Sequence, residues 1–221
     1  MSATLLYVAD PMCSWCWGFA PVLASVTEDL RDDVSVRYVM GGLAPDSDEP
    51  MEEAMKEYIR GAWRSVTERA GVRFNWSYWE MASPRRSTWP ACRAVVAARQ
   101  QSPELGWRLF EAIQRAYYLE ARNPSDLEVL VGAARTLAPD LDLPRFEAEL
   151  DGPQVRALFE ADRRLAAELG AHGFPWLGEV GTEGVRVLSA GWSPAEEVLG
   201  RLATAPWEKT GFLPPEGPAA D

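Results

Sequence analysis

The chain has 221 residues, 47% of them hydrophobic, and a formal net charge of −11. That length can enclose a substantial core, as one large domain or two small ones. The acidity argues against nucleic acid or an anionic membrane surface as the main partner. No run approaches the roughly eighteen apolar residues of a membrane span.

Met1-Ser2-Ala3-Thr4 carries no basic flank and leads directly into an apolar stretch, unlike a secretion signal. The expected compartment is the cytoplasm. Three cysteines cannot build a framework of structural disulfides.

Leu5 to Val8 is short and apolar and reads as a buried strand. Phe19, Val22, Leu23, Val26 and Leu30 then recur at helical spacing, with Pro21 inside the helix as an expected kink. Val34, Val36, Tyr38 and Met40 repeat with period two and end at Gly41-Gly42, which predicts a second strand. Strand, helix, strand at this spacing is a βαβ unit with a parallel pair.

More than a hundred residues of helical pattern follow. Pro50 can open a helix with Met51, Met55, Tyr58, Ala62 and Val66 on one stripe. Phe74 to Trp79 is aromatic and irregular, and Arg93 to Ala98 is a short buried helix. Ser102-Pro103 starts a helix that reaches about Tyr118. Ser125-Asp126-Leu127-Glu128 reads as a capping box for the next one. Pro144 opens a short helix, and another runs from Gln154 to Leu169 with Asp162 on its apolar face and Gly170 at its end. The β pattern then returns: Trp176–Val180 and Val185–Leu188 flank Gly181-Thr182-Glu183-Gly184 as a hairpin. Ser193-Pro194-Ala195-Glu196 opens a last helix, and a tail rich in proline and glycine ends the chain.

Between the first strand and the first helix stands Asp10-Pro11-Met12-Cys13-Ser14-Trp15-Cys16-Trp17-Gly18-Phe19. A Cys-x-x-Cys at a strand-to-helix junction puts its first thiol at the helix N-terminus. There unpaired N–H groups and the helix dipole stabilise negative charge. The thiolate is the nucleophile, so Cys13 is the candidate attacking group. Cys16, one turn on, can attack a mixed disulfide at Cys13 and release the substrate.

The same spacing also serves zinc, which would need two further ligands; Cys92 and His172 are the residues available. His172 alone reads as a turn residue, and Cys92 as a small buried one that opens an Ala/Val helix. Trp17 and Phe19 read as core or core edge. Ser14 and Trp15 lie between the cysteines, where Trp15 can meet an apolar substrate segment. Asp10 is set on the loop side of the motif.

With Gly173-Phe174-Pro175-Trp176 far downstream and Pro21 in the first helix, these residues resemble the thioredoxin superfamily, within it the DsbA-like branch. The wording of the motif looks like the cytosolic, FrnE-like members. The resemblance implies an α/β, thioredoxin-like fold interrupted by a helical insertion subdomain. It divides the chain into a discontinuous thioredoxin-like domain (1–44 and 172–205), a helical insert (45–171) and a C-terminal tail (206–221). It also implies that Pro175 opens a strand in the cis form beside Cys13 and Cys16. The backbone of Phe174 would then pair with the substrate chain.

The implied function is exchange of disulfides with protein or small-molecule thiols. Electrons move between cysteines, so no bound cofactor is required, with glutathione a candidate substrate. Ser14-Trp15 carries neither the histidine of DsbA nor the Gly-Pro of thioredoxin, so Cys13 is expected to be less oxidising than DsbA. Tyr7 occupies the position of thioredoxin's buried aspartate, leaving the proton acceptor for Cys16 unidentified. Two other readings stand beside this one. One is a glutathione-dependent transferase or isomerase on the same fold, as in the kappa-class transferases and hydroxychromene-carboxylate isomerases, which typically carry serine at the Cys13 position. The other is a non-enzymatic zinc-binding module. Nothing in the sequence argues an oligomeric state.

Overall fold

The computed structural model describes residues 3–29, 34–80, 84–181 and 184–203. Its strands form one sheet in the order β2-β1-β3-β4. β1 (Ala3–Ala9) pairs in parallel with β2 (Val34–Met40) and antiparallel with β3 (Trp176–Gly181), so Tyr7 lies between Tyr38 and Leu177. β3 pairs antiparallel with β4 (Gly184–Ala190), completing the expected hairpin. α1 (Ser14–Asp29) is the crossover between β1 and β2 and contains Pro21.

β1 is apolar without alternation because both its faces are covered. Leu5, Tyr7 and Ala9 enter the larger core with Phe19, Leu23 and Val26 of α1. Leu6 and Val8 enter a smaller core with Val39, Leu165 and Trp176. Strand and helix periods therefore meet on one central element, which is what sets the motif after Ala9 at the edge of the core.

The helical segment comprises α2 (Glu53–Ala70), a 3₁₀ turn (Trp76–Glu80), α3 (Trp89–Arg99), α4 (Pro103–Tyr118), α5 (Leu127–Arg135), α6 (Leu143–Glu149) and α7 (Pro153–Glu168). α8 (Ala195–Ala203) follows the hairpin. The larger core runs unbroken from β1 and α1 into α2, α3, α4 and Phe159 of α7. The aromatic stretch read as irregular has a packing role: Phe74, Trp76, Tyr78 and Trp79, with Tyr117 and Tyr118 of α4, surround the fully buried Trp63. Tyr118 in turn stacks on Trp17 at 5.6 Å between ring centroids, joining this cluster to α1. α1 and α2 approach so closely that a Cβ at Gly18 would sit 2.8 Å from Val66 Cγ1.

Local expectations gave way to tertiary packing in three places. α2 begins at Glu53, and Pro50 instead forms a bridge with Arg85. Its buried stripe is Ile59, Trp63 and Val66, while Met55 and Tyr58 are exposed, Tyr58 by 69%. The large indole of Trp63 decides which face turns inward. The capping box at Ser125 does not form either. Asp126 is the N-cap and makes no side-chain cap bond. The Ser125 hydroxyl is occupied elsewhere, donating to the Ser87 carbonyl and accepting from the Ser87 N–H, both at 3.0 Å. By contrast, Ser102 caps α4 as expected, accepting from the Glu104 N–H at 3.2 Å.

The open edge of β2 is sealed by the insert. Asp162 of α7 is buried and accepts from the Met40 N–H at 3.0 Å. Arg99 of α3 donates to the Tyr38 carbonyl at 2.7 Å and to Asp162 at 2.9 Å. This explains a charged residue on the apolar face of α7: it satisfies edge groups that another strand could otherwise pair with. The C-terminal tail (206–221) lies outside the described residues.

Candidate functional site

Cys13 directly precedes α1, and its carbonyl accepts the first helical bond, from the Trp17 N–H at 3.1 Å. Its own N–H bonds the Asp10 carbonyl at 3.0 Å, closing the turn Asp10-Pro11-Met12-Cys13. Cys13 therefore stands at the N-terminus of α1, the end at which a helix leaves its first N–H groups unpaired. Cys13 is 6% exposed and Cys16 is fully enclosed. All three cysteines are free thiols. Burial, followed by the neighbouring Cys13, pushes the Cys16 thiol well above its ordinary range, offset only in part by a hydrogen bond from the Asp10 backbone. The arrangement is asymmetric: Cys13 keeps a small exposure, and Cys16 is fully enclosed with its thiol held protonated.

Phe174 closes the site from the other end of the chain. The Cys13 thiol donates to the Phe174 carbonyl at 3.5 Å, across 161 residues of sequence. The Phe174-Pro175 peptide bond is cis. The Phe174 ring lies over the end of β2, where a Cβ on Gly41 would stand 1.9 Å from ring atom Cζ. Glycine at 41 is thus required by the close approach of this ring.

The sequence reading missed the character of Asp10. Its side chain is not on the loop side but fully buried beneath the motif. Oδ1 accepts from the Met12 N–H at 2.7 Å. Oδ2 accepts from the Leu43 N–H at 2.7 Å, the Thr88 hydroxyl at 2.6 Å and the Cys92 thiol at 3.5 Å. One carboxylate therefore ties the turn before Cys13 to the loop after β2 and to the start of α3. Burial raises its pKa above the ordinary carboxylate range, against the opposing pull of those hydrogen bonds. Apart from Met12, the partners lie 33 to 82 residues away, so no local signal announced them. Tyr7, by comparison, has its phenol pushed well up by burial and by Cys16, and it stays protonated at neutral pH.

Beside Cys13 opens a cavity of about 190 Å³, lined among others by Ser14, Trp15, Tyr58, Arg86, Tyr117 and Phe174. Four of the six predicted site residues line it together, Cys13, Ser14, Trp15 and Phe174, while Cys16 and Pro175 are buried. Trp15 is half-buried rather than fully exposed and packs partly on the core. Arg86 and Tyr117 were not anticipated. Cys92 is buried under Asp10, and His172 is exposed. Among the described residues, no three His, Cys, Asp or Glu side chains are grouped to hold a metal ion. Nor is any helix among them long and apolar enough to cross a membrane.

Comparison with known proteins agrees with this geometry. The chain is similar to the cytosolic disulfide reductase DsbM from Pseudomonas aeruginosa, with a TM-score of 0.75 and 29% identity over 90% of this chain and 95% of that one. A second DsbM structure, with GSH, gives a TM-score of 0.74 and 28% identity over 90% of this chain and 96% of that one. The chain is also 25% identical over 197 residues to the ClpXP adapter protein SpxH of Bacillus subtilis, and 22% identical over 164 residues to that of Halalkalibacterium halodurans. These alignments take in 86% and 72% of this chain but only 64% and 53% of those relatives' lengths. The thioredoxin family model Thioredoxin_5 matches residues 6–178, from β1 into β3, and so takes in both the cysteine motif and Phe174-Pro175. The chain belongs to the thioredoxin family and has its DsbA-like form of fold.

Proposed function

We propose that the protein is a thiol–disulfide oxidoreductase acting through Cys13 and Cys16. The observation that carries the reading is the Cys13 sulfur, at the start of α1 and 3.5 Å from the Phe174 carbonyl. As a thiolate, Cys13 attacks one sulfur of a substrate disulfide. The substrate S–S bond breaks, a Cys13–substrate disulfide forms, and the other substrate sulfur leaves as a thiolate. Cys16 then loses its proton and attacks Cys13 Sγ. The Cys13–Cys16 disulfide forms, and the second substrate thiolate is released. Two electrons pass from the cysteine pair to the substrate, and the reverse sequence oxidises a dithiol.

Phe174 offers its backbone to the substrate beside the reacting sulfur, with Pro175 holding that edge. Ser14 and Trp15 supply the near wall. Glutathione, present with the similar DsbM, is the small thiol to test first. A cytoplasmic location accords with the cytosolic designation of that protein.

The test is a redox titration of the purified protein in glutathione buffers, with thiol trapping and mass spectrometry and Cys13→Ser as control. A reversible Cys13–Cys16 disulfide, with Cys92 unchanged, is expected. A pair that never oxidises would overturn the reading.

A second reading, docking to a protein partner, is favoured by the adapter name of the curated relatives. It predicts binding to ClpXP that survives Cys13→Ser.

A further inference from the structure

Two consecutive arginines behave differently. Arg85 is consumed by structure: it pairs with Asp48 and Asp126 and donates to the Ser125 carbonyl. Arg86 points instead to the cavity beside Cys13. Its hydrogen bond there is to the Met55 sulfur at 3.2 Å, a weak acceptor. Among the described residues no carboxylate pairs with it. It is also the one charged side chain lining that cavity among them; the other walls are aromatic, aliphatic or neutral, including Trp15, Tyr58, Tyr117 and Phe174. A guanidinium offers five donors in a planar fork suited to a carboxylate. In a half-enclosed, largely apolar site such a contact is strengthened by the lowered dielectric.

Size and charge narrow the occupant. A cavity of about 190 Å³ is smaller than the ~300–1,000 Å³ that encloses a drug-sized ligand. It suits one short acidic arm of a molecule whose sulfur is already at Cys13. The chain carries a net charge of −11, so its overall field repels an acidic ligand, and a local cation is needed to hold one.

We propose that Arg86 binds a carboxylate of the substrate, so that the preferred partners of Cys13 are small acidic thiols and their disulfides. This rests on the oxidoreductase reading above and adds to it the recognised chemical group. Arg86 takes no part in the electron transfer; it sets which disulfide is presented to the sulfur.

The experiment compares rates of mixed-disulfide formation at Cys13 with glutathione disulfide and with the neutral hydroxyethyl disulfide, for the wild type and Arg86→Met. The ratio of the two rates should fall by roughly tenfold in Arg86→Met, as expected for loss of a hydrogen bond between charged groups, and in part in Arg86→Lys. An unchanged ratio would overturn the assignment while leaving the oxidoreductase reading intact. Absence of reaction with either disulfide in the wild type would remove both. Should Arg86→Met not fold, the wild type is challenged with glutathione disulfide esterified at its carboxylates. A rate equal to that with the free acid would overturn the assignment without any variant.

Discussion

The Cys92 thiol donates to the Asp10 carboxylate across 3.5 Å, and both side chains are fully buried beneath the Cys13–Cys16 motif. The third cysteine is therefore not a spare redox partner at the surface. It is one of four donors converging on a single carboxylate that holds the turn before Cys13. Burial also pushes the Cys92 thiol well up, which keeps it in the donating form.

Asp10 should leave a pH signature on stability. Its folded pKa lies above the unfolded value of about 3.9. The folded state thus binds the proton more tightly, and that stabilisation is complete below the unfolded value. It is lost as pH rises through the folded one. Asp10→Asn should remove this decline while costing about 1–3 kcal/mol, since one amide oxygen cannot replace two carboxylate oxygens for four donors. The check is the Tm of wild type and variant from pH 3 to 7. A difference that stays constant across that window would contradict the burial-driven shift.

The three thiols should separate by access. Cys13 is 6% exposed, whereas Cys16 and Cys92 are fully buried with their thiols held protonated. Iodoacetamide at pH 7.5, roughly one unit below the ordinary thiol pKa of about 8.5, should alkylate the reduced folded protein at Cys13 alone. Cys16 and Cys92 should react only after addition of denaturant. Peptide mass mapping reads this directly, and early labelling of Cys92 would count against the buried Asp10 network.

Gly41→Ala should act on the site from across the sheet. The added methyl falls 1.9 Å from the Phe174 ring, so the ring must move on the residue whose carbonyl faces Cys13. Exchange rates should drop by about tenfold, as for a misplacement near the reacting atoms. Combining Gly41→Ala with Phe174→Leu should restore part of the stability lost by the single variant. Strictly additive losses in denaturant melts would argue against the contact.

Asp162→Ala should be the most damaging change outside the site. It leaves the Met40 N–H without its acceptor and Arg99 without its buried partner. The expected loss is about 3–5 kcal/mol, as for breaking a buried pair by removing one member. Urea unfolding gives the loss, and size-exclusion chromatography tests whether the uncovered β2 edge promotes association.

The sequence alone carried the order of elements and the chemistry of the motif. Apolar runs in β1, period-two alternation in β2, and Gly, Pro and Ser punctuation around α4 and the hairpin are local signals, because each reflects what a residue does to its own backbone and its nearest turn. The Cys13–Cys16 spacing after a strand is likewise local, and so is the proline that follows Phe174.

What the tertiary structure decided was every relation between groups distant in the chain. Whether Ser125 caps α5 or bonds Ser87, and whether Met55 or Trp63 turns inward, depended on competing partners 38 residues away or on the size of one indole. The buried state of Asp10, its link to Cys92, and the presence of Arg86 beside Cys13 arise where β1, α1 and the insert meet. No window of sequence contains those three elements at once. Burial and hydrogen-bond satisfaction are properties of the packed chain. The sequence therefore determined a closely spaced cysteine pair and the frame that presents it, and packing alone decided which carboxylate lies beneath that pair and which cation lines the cavity beside it.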